Sequence, residues 1–158
     1  MPSFAKFDTW TNTLGIPYNN LVKIEHFRHD PNNDSYTTIS QDVRAYSPLV
    51  ADYKPKLSNS ILYVTGRMHV RFVNALGMTF GLTRDGTDLD GMINRSGKDF
   101  HYKNDSVNHH YTGHCEAWVL STGNLTRFTI WGQGWSGGTW ELSYGHGEHI
   151  ITVMEFAQ

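Results

Sequence analysis

ILYVTGRMHVRF, residues 61–72, decides the fold class. Leu62, Val64, Met68, Val70 and Phe72 fall on one side of an extended chain. Tyr63, Thr65, Arg67, His69 and Arg71 fall on the other. A period of two marks a strand with one face in a core and the other wet or against a partner. Gly66 interrupts the apolar side, which predicts a bend or bulge there.

The same period continues outward in both directions. MTFGLTRDGTDL (78–89) alternates into Asp85-Gly86, a pair suited to a type I′ hairpin turn. Residues 90–108 read as a long polar loop with a short strand near Phe100–Tyr102, and HHYTGHCEAWVL (109–120) reads as a long strand. TRFTIWGQ (126–133) and TWELSY (139–144) are predicted to pair as a hairpin across GWSGG. HIITVMEF (149–156) closes the domain, with Ile151 and Val153 on one face and Ile150, Met154 and Phe156 on the other. A strand apolar on both faces is central or lies at a subunit contact, so Ile151, Val153, Met154 and Phe156 are the candidate contact residues. Toward the N-terminus, LVKIEHF (21–27), YTTISQ (36–41) and YSPLVADY (46–53) are further strands, and Pro48 suits a sheet edge. No segment of 10–15 residues repeats at 3.6, and no internal repeat is evident. The expectation is an all-β, single-domain, jelly-roll-like β-sandwich of about eight or nine antiparallel strands, spanning residues 21–158.

Residues 1–20 read differently. Phe4, Phe7, Trp10, Leu14 and Ile16 are apolar, but Gly15 and Pro17 break any regular element. The segment reads either as an arm that needs another surface to bury its aromatics or as a stretch that folds back on its own domain; in the first reading these five residues are the candidate attachment residues.

Composition narrows the function classes. Charged residues make up 18% and aromatics 13% of 158 residues, with 15 glycines, which suits a sheet protein. A net charge of -2 supplies no basic stripe for nucleic acid, and Arg67 and Arg71 are too sparse to make one. Cys115 stands alone and reads as a small core residue rather than part of a disulfide framework. No run approaches the length of a membrane span, and MPSFAKFDTW lacks the apolar middle of a signal peptide. The chain is therefore expected to be made in a cytoplasm and not inserted into a membrane.

Several patterns resemble chemistry and fail on context. Gly134-Trp135-Ser136-Gly137-Gly138 matches G-x-S-x-G, and Gly132, Gly134 and Gly137 match G-x-G-x-x-G. Both motifs need a helix after the turn, and TWELSY is a strand pattern. Among nine histidines, His110 and His114 sit ~13 Å apart on a strand, and no spacing matches a zinc site. His146 and His149 bracket a Gly-Glu turn and could converge with His109 or His110 from a neighbouring strand. Asp85, Asp88 and Asp90 before Gly91 lack the first and last ligands of a calcium loop. No catalytic residue, metal or cofactor is expected. The strongest functional feature is aromatic: Trp131, Trp135, Trp140 and Tyr144 lie close in sequence, and such side chains suit sugar faces and protein interfaces. Trp131 is out of phase with Phe128 and Ile130, and Trp135 is expected in the turn, which makes these two the leading candidates for a partner surface.

Ser60-Ile61-Leu62-Tyr63-Val64, Arg84-Asp85-Gly86-Thr87 and Ile151-Thr152-Val153-Met154-Glu155-Phe156 resemble strands and a hairpin in the C-terminal β-domains of virion structural and tail-fibre-like proteins of phages of marine bacteria and cyanobacteria. The resemblance covers about residues 20–158, and its motifs are structural. It implies a trimeric jelly-roll head of the complement and tumour-necrosis-factor type. The expectation it gives is a non-enzymatic virion surface knob that binds itself as a homotrimer and holds other capsid or tail proteins through the arm. A glycan-binding tail-fibre module acting on host-surface glycan is the alternative. The chain lacks a repetitive shaft, which suits a small knob.

Overall fold

The structure is a computed structural model; it describes residues 20–29, 36–40, 42–73, 77–89, 99–102, 109–135, 138–143 and 148–158. Residues 1–19 of the expected arm, the region of Asp90 and Gly91, Ser136, Tyr144 and His146 lie outside the described residues. The strands are β1 (Leu21–His29), β2 (Tyr36–Ser40), β3 (Arg44–Tyr53), β4 (Ile61–Phe72), β5 (Gly77–Arg84), β6 (Thr87–Asp88), β7 (Asp99–Tyr102), β8 (His109–Leu120), β9 (Thr126–Trp135), β10 (Thr139–Ser143) and β11 (His149–Phe156). Among the described residues, nine remain once the very short β6 and β7 are set aside, in line with the expected number.

The strands form two antiparallel sheets. In the first, β8 pairs with one edge of β4 along its whole length. The other edge of β4 is shared end to end by β11 and β10. β1 continues the sheet beyond β11, and β2 continues it beyond β10. The second sheet runs β3-β9-β5, with β7 and β6 sharing the far edge of β5. From β3 to β10 the chain repeatedly crosses between the sheets, which gives a jelly-roll-like β-sandwich. The expected I′ turn is present: Asp85 (φ 51) and Gly86 (φ 82) both take the left-handed region that this turn demands.

The core lies between the sheets and follows from the alternation. β4 gives Leu62, Val64, Met68, Val70 and Phe72; β8 gives Cys115 and Ala117; β11 gives Ile151 and Val153. The second sheet answers with Ala51, Tyr53, Met78, Phe80, Leu82, Phe128 and Ile130. Cys115 is a buried free thiol in this core. Gly113 leaves room for the Phe80 ring, which occupies the place a Cβ would take.

Two sequence expectations are corrected. β9 and β10 do not pair as a hairpin: β9 bonds to β3 and β5, whereas β10 bonds to β2 and β4. Alternation reports which face a residue takes and carries no information about which strand lies alongside. β9 and β10 therefore lie in different sheets, and Trp140 of β10 packs on Gly134 of β9, 2.8 Å from where a Cβ would stand. Gly66 makes no bulge either, because β4 stays in register with β8 and β11 through it. A Cβ there would meet Cys115 Sγ at 2.9 Å, Ile130 Cγ1 at 3.0 Å and Leu82 Cδ2 at 3.1 Å, so the glycine lets the sheets close. The register shifts fall instead between Tyr46 and Val50, around Pro48 on the edge strand β3, and between Leu21 and Lys23.

A buried carboxylate ties β11 to the segment before β4. Glu155 is fully buried. Its Oε2 accepts from the Tyr53 hydroxyl and the Lys56 N–H, each at 2.9 Å. Its Oε1 accepts from the Leu57 N–H at 2.9 Å and the Ser60 hydroxyl at 2.7 Å. Burial pushes this carboxyl up, but the donors from Lys56, Ser60, Leu57 and Tyr53 outweigh it and hold the group below its ordinary value. The same burial, with the Glu155 carboxylate, drives the Tyr53 phenol well above its ordinary range.

Candidate functional site on the outer face of the first sheet

Strand register, rather than any single strand, builds the site. On the face turned away from the core, Leu120 (β8), Ile61 (β4), Phe156 (β11) and Leu21 (β1) pair in sequence across four strands. Further in by two residues on β8, β4 and β11, and by three on β1 across its register shift, Trp118, Tyr63, Met154 and Ile24 form a second such row. All eight side chains are apolar or aromatic. None is buried, and Leu120, Leu21 and Ile24 are 60%, 46% and 43% exposed. With strands ~4.8 Å apart and a two-residue repeat of ~6.8 Å, the two rows cover roughly 260 Å² of flat sheet. An ordinary monomer's largest apolar patch is roughly 300–600 Å² and is often functional, so the area alone does not single this face out; its aromatic content, Trp118 stacked on Tyr63 beside Phe156, does.

The aromatics of this patch hold one another in place. Tyr63 and Trp118 stack at 4.3 Å between centroids, and Trp118 lies 6.0 Å from Phe156. The Tyr63 hydroxyl donates to Glu116 Oε2, and burial together with that carboxylate pushes the phenol far above its ordinary value. Tyr63 therefore stays neutral, with its polar end turned toward the rim of the patch.

Beyond these rows the face becomes polar. The third row is Glu116, Thr65, Thr152 and His26, with His26 Nδ1 2.9 Å from Thr152 Oγ1. The fourth is His114, Arg67, Ile150 and Arg28. At the far end Arg71 Nε donates to Glu141 Oε2 at 2.6 Å. His69 Nε2 lies 3.3 Å from His110 Nδ1 there. An apolar centre rich in Trp and Tyr beside a polar margin is the anatomy of a protein–protein contact.

The candidate residues from sequence divide between places. Met154 and Phe156 lie in the two apolar rows. Ile151 and Val153 are wholly buried in the chain's own core, so burial removes them from the expected contact surface. Trp140 is a core residue at 0% exposure, not a surface residue. Trp131 takes the outer face of the second sheet, as its phase implies, yet is only 2% exposed. It lies on Gly81, 2.5 Å from the place of a Cβ, and the Arg44 guanidinium covers its ring at 3.8 Å. That burial corrects the expectation of a free Trp131. Trp135 remains accessible, at 36%. Sequence reading missed Leu21, Ile24, Ile61, Tyr63, Trp118 and Leu120, whose only sequence signal was an apolar residue on the outer phase of each strand.

Other expected non-sites have structural partners. Asp88 grips Arg44 with both oxygens, at 2.8 and 3.0 Å. Asp85 Oδ1 accepts from the Arg127 N–H at 2.8 Å. His149 is buried, with Nδ1 2.6 Å from Ser47 Oγ. Among the described residues no group of three or more His, Cys, Asp or Glu is placed to hold a metal ion.

No family model matches the sequence, and no curated protein matches it. Solved structures do. Eiger TNF from S. frugiperda is similar at a TM-score of 0.46 and 11% identity, over 89% of this chain and 95% of that one. The VP2 subviral particle of infectious bursal disease virus is similar at 0.45 and 12%, over 86% of this chain and 33% of that one. The Gx strain of that virus gives 0.44 and 10%, over 84% and 33%. The chain thus spans about a third of the viral chains it matches. These likenesses are too slight to assign a function.

Proposed function

We propose that this chain is a non-enzymatic surface protein of a virion, a small phage knob whose sandwich heads associate as a homotrimer through the outer face of the first sheet. The observation that carries it is the pair of apolar rows Leu120–Ile61–Phe156–Leu21 and Trp118–Tyr63–Met154–Ile24, which a lone head leaves in water. The occupant is a second copy of the chain, because the patch has the aromatic centre and polar margin of a contact between folded surfaces. The threefold count and the particle rest on the resemblance of the strands at 60–64 and 151–156 and the hairpin at 84–87 to phage virion proteins. The knob is made in the host cytoplasm and carried on the capsid or tail.

Residues 1–20, with Phe4, Phe7, Trp10, Leu14 and Ile16, are the attachment arm in this reading. Deleting residues 1–19 is expected to leave a folded, self-associating head that no longer co-purifies with phage particles. Truncated protein recovered in particles at the wild-type level would contradict the attachment role.

A further inference from the structure

The outer face of the second sheet carries a different surface. Its strands β3, β9 and β5 set three rows side by side. Trp135 pairs with Gly77; Arg44, Gln133 and Thr79 form the middle row; Tyr46, Trp131 and Gly81 form the third. Each tryptophan covers a glycine of β5. The place of a Cβ on Gly77 lies 2.7 Å from Cε2 and Cζ2 of Trp135 and 3.1 Å from Cδ2, so the indole lies with a face against the strand. Any side chain at residue 77 would prop that ring up. Trp135 and Tyr46 are 36% and 48% exposed.

We infer that this face is a binding platform for an oligosaccharide chain, with Trp135 and Tyr46 as its two stacking surfaces. The rows holding them are four residues apart along β9, ~13 Å. That is the reach of a short run of sugar units and more than one ring can bridge. Sugar rings present flat C–H faces to aromatics and hydroxyls at their edges. The row between the aromatics supplies polar groups for those edges: Gln133, Thr79 and Arg44. Two of these are already oriented. Arg44 is held over Trp131 and by both oxygens of Asp88, and Gln133 donates to the Asp42 carbonyl at 3.1 Å. Such pre-ordering lowers the entropy cost of binding.

The composition of the face separates a saccharide from other ligands. Its exposed aromatics are divided by a polar row, unlike the continuous apolar rows of the first sheet, so it lacks the dry centre of a protein contact. Its one cation in the middle row, Arg44, is matched by Asp88, so a polyanion gains little. The inference stands apart from the trimer reading, because the two faces belong to opposite sheets.

Affinity electrophoresis of the full chain tests it, in gels cast with soluble hydroxyethylcellulose, glycol chitin, xylan, galactomannan or bacterial lipopolysaccharide O-chain. Retardation is expected with at least one of these polymers. Trp135→Ala should abolish it, Tyr46→Ala should weaken it about tenfold, and Trp118→Glu should leave the site itself intact. Folding of the variants is checked by circular dichroism. A wild-type chain that no polymer retards, or one whose retardation survives Trp135→Ala, would overturn the inference.

Discussion

Glu155→Ala is expected to destabilise the sandwich by about 3 kcal/mol, a fall of roughly 6–12 °C in melting temperature. The carboxylate accepts four hydrogen bonds in a dry site, from the Tyr53 and Ser60 hydroxyls and the Lys56 and Leu57 N–H groups. Alanine leaves those donors facing a void, and the chain at 53–60 loses its hold on β11. Glu155→Gln keeps one acceptor oxygen and should fall between wild type and alanine. The acid limb follows from the lowered pKa. Its stabilisation is complete above the ordinary carboxyl value of 4.5 and is lost as pH falls through the lower folded-state value. Urea midpoints at pH 7 and pH 3 measure this. Both variants should show a smaller loss across that interval than wild type, and an unchanged midpoint in Glu155→Ala would refute the anchor.

The second large effect concerns assembly. Trp118 sits in the inner apolar row, stacked on Tyr63 and close to Phe156. Trp118→Glu places a charge beside Glu116 in the middle of the contact. Truncating a central aromatic of this kind costs at least about 2 kcal/mol per contact, a ~30-fold weakening. The variant is expected to be a folded monomer at micromolar concentration. Its intramolecular stack accounts for only about 1 kcal/mol of head stability. Ile24→Glu, on the edge strand β1 and 43% exposed, gives the same readout with less risk to folding. Size-exclusion chromatography with light scattering reads both. Variants as large as wild type would count against the first sheet as the contact.

The sequence made individual strands legible and left their neighbours hidden. Residues 61–72 and 109–120 showed their inner faces plainly because each apolar side chain falls on a period of two. The outer face of residues 61–72, with Tyr63, Thr65, Arg67, His69 and Arg71, was equally plain. The apolar rows could not, because Leu120, Ile61, Phe156 and Leu21 meet only through register, which alternation within a strand does not specify. Trp131 illustrates the converse. Its phase was readable, but its burial depends on Arg44 reaching over from β3 and on Gly81 lying beneath it from β5. The mistaken β9–β10 hairpin has the same origin: nearness in sequence stood in for pairing, and the two strands lie in different sheets.

Sedimentation equilibrium of the purified full chain at micromolar concentration probes the shielded face most directly. A species of three times 18.0 kDa is expected, reduced to 18.0 kDa by Ile24→Glu. A wild-type protein that stays at 18.0 kDa would mean that Trp118 and Phe156 face water in the native state, and the assembly reading would fall.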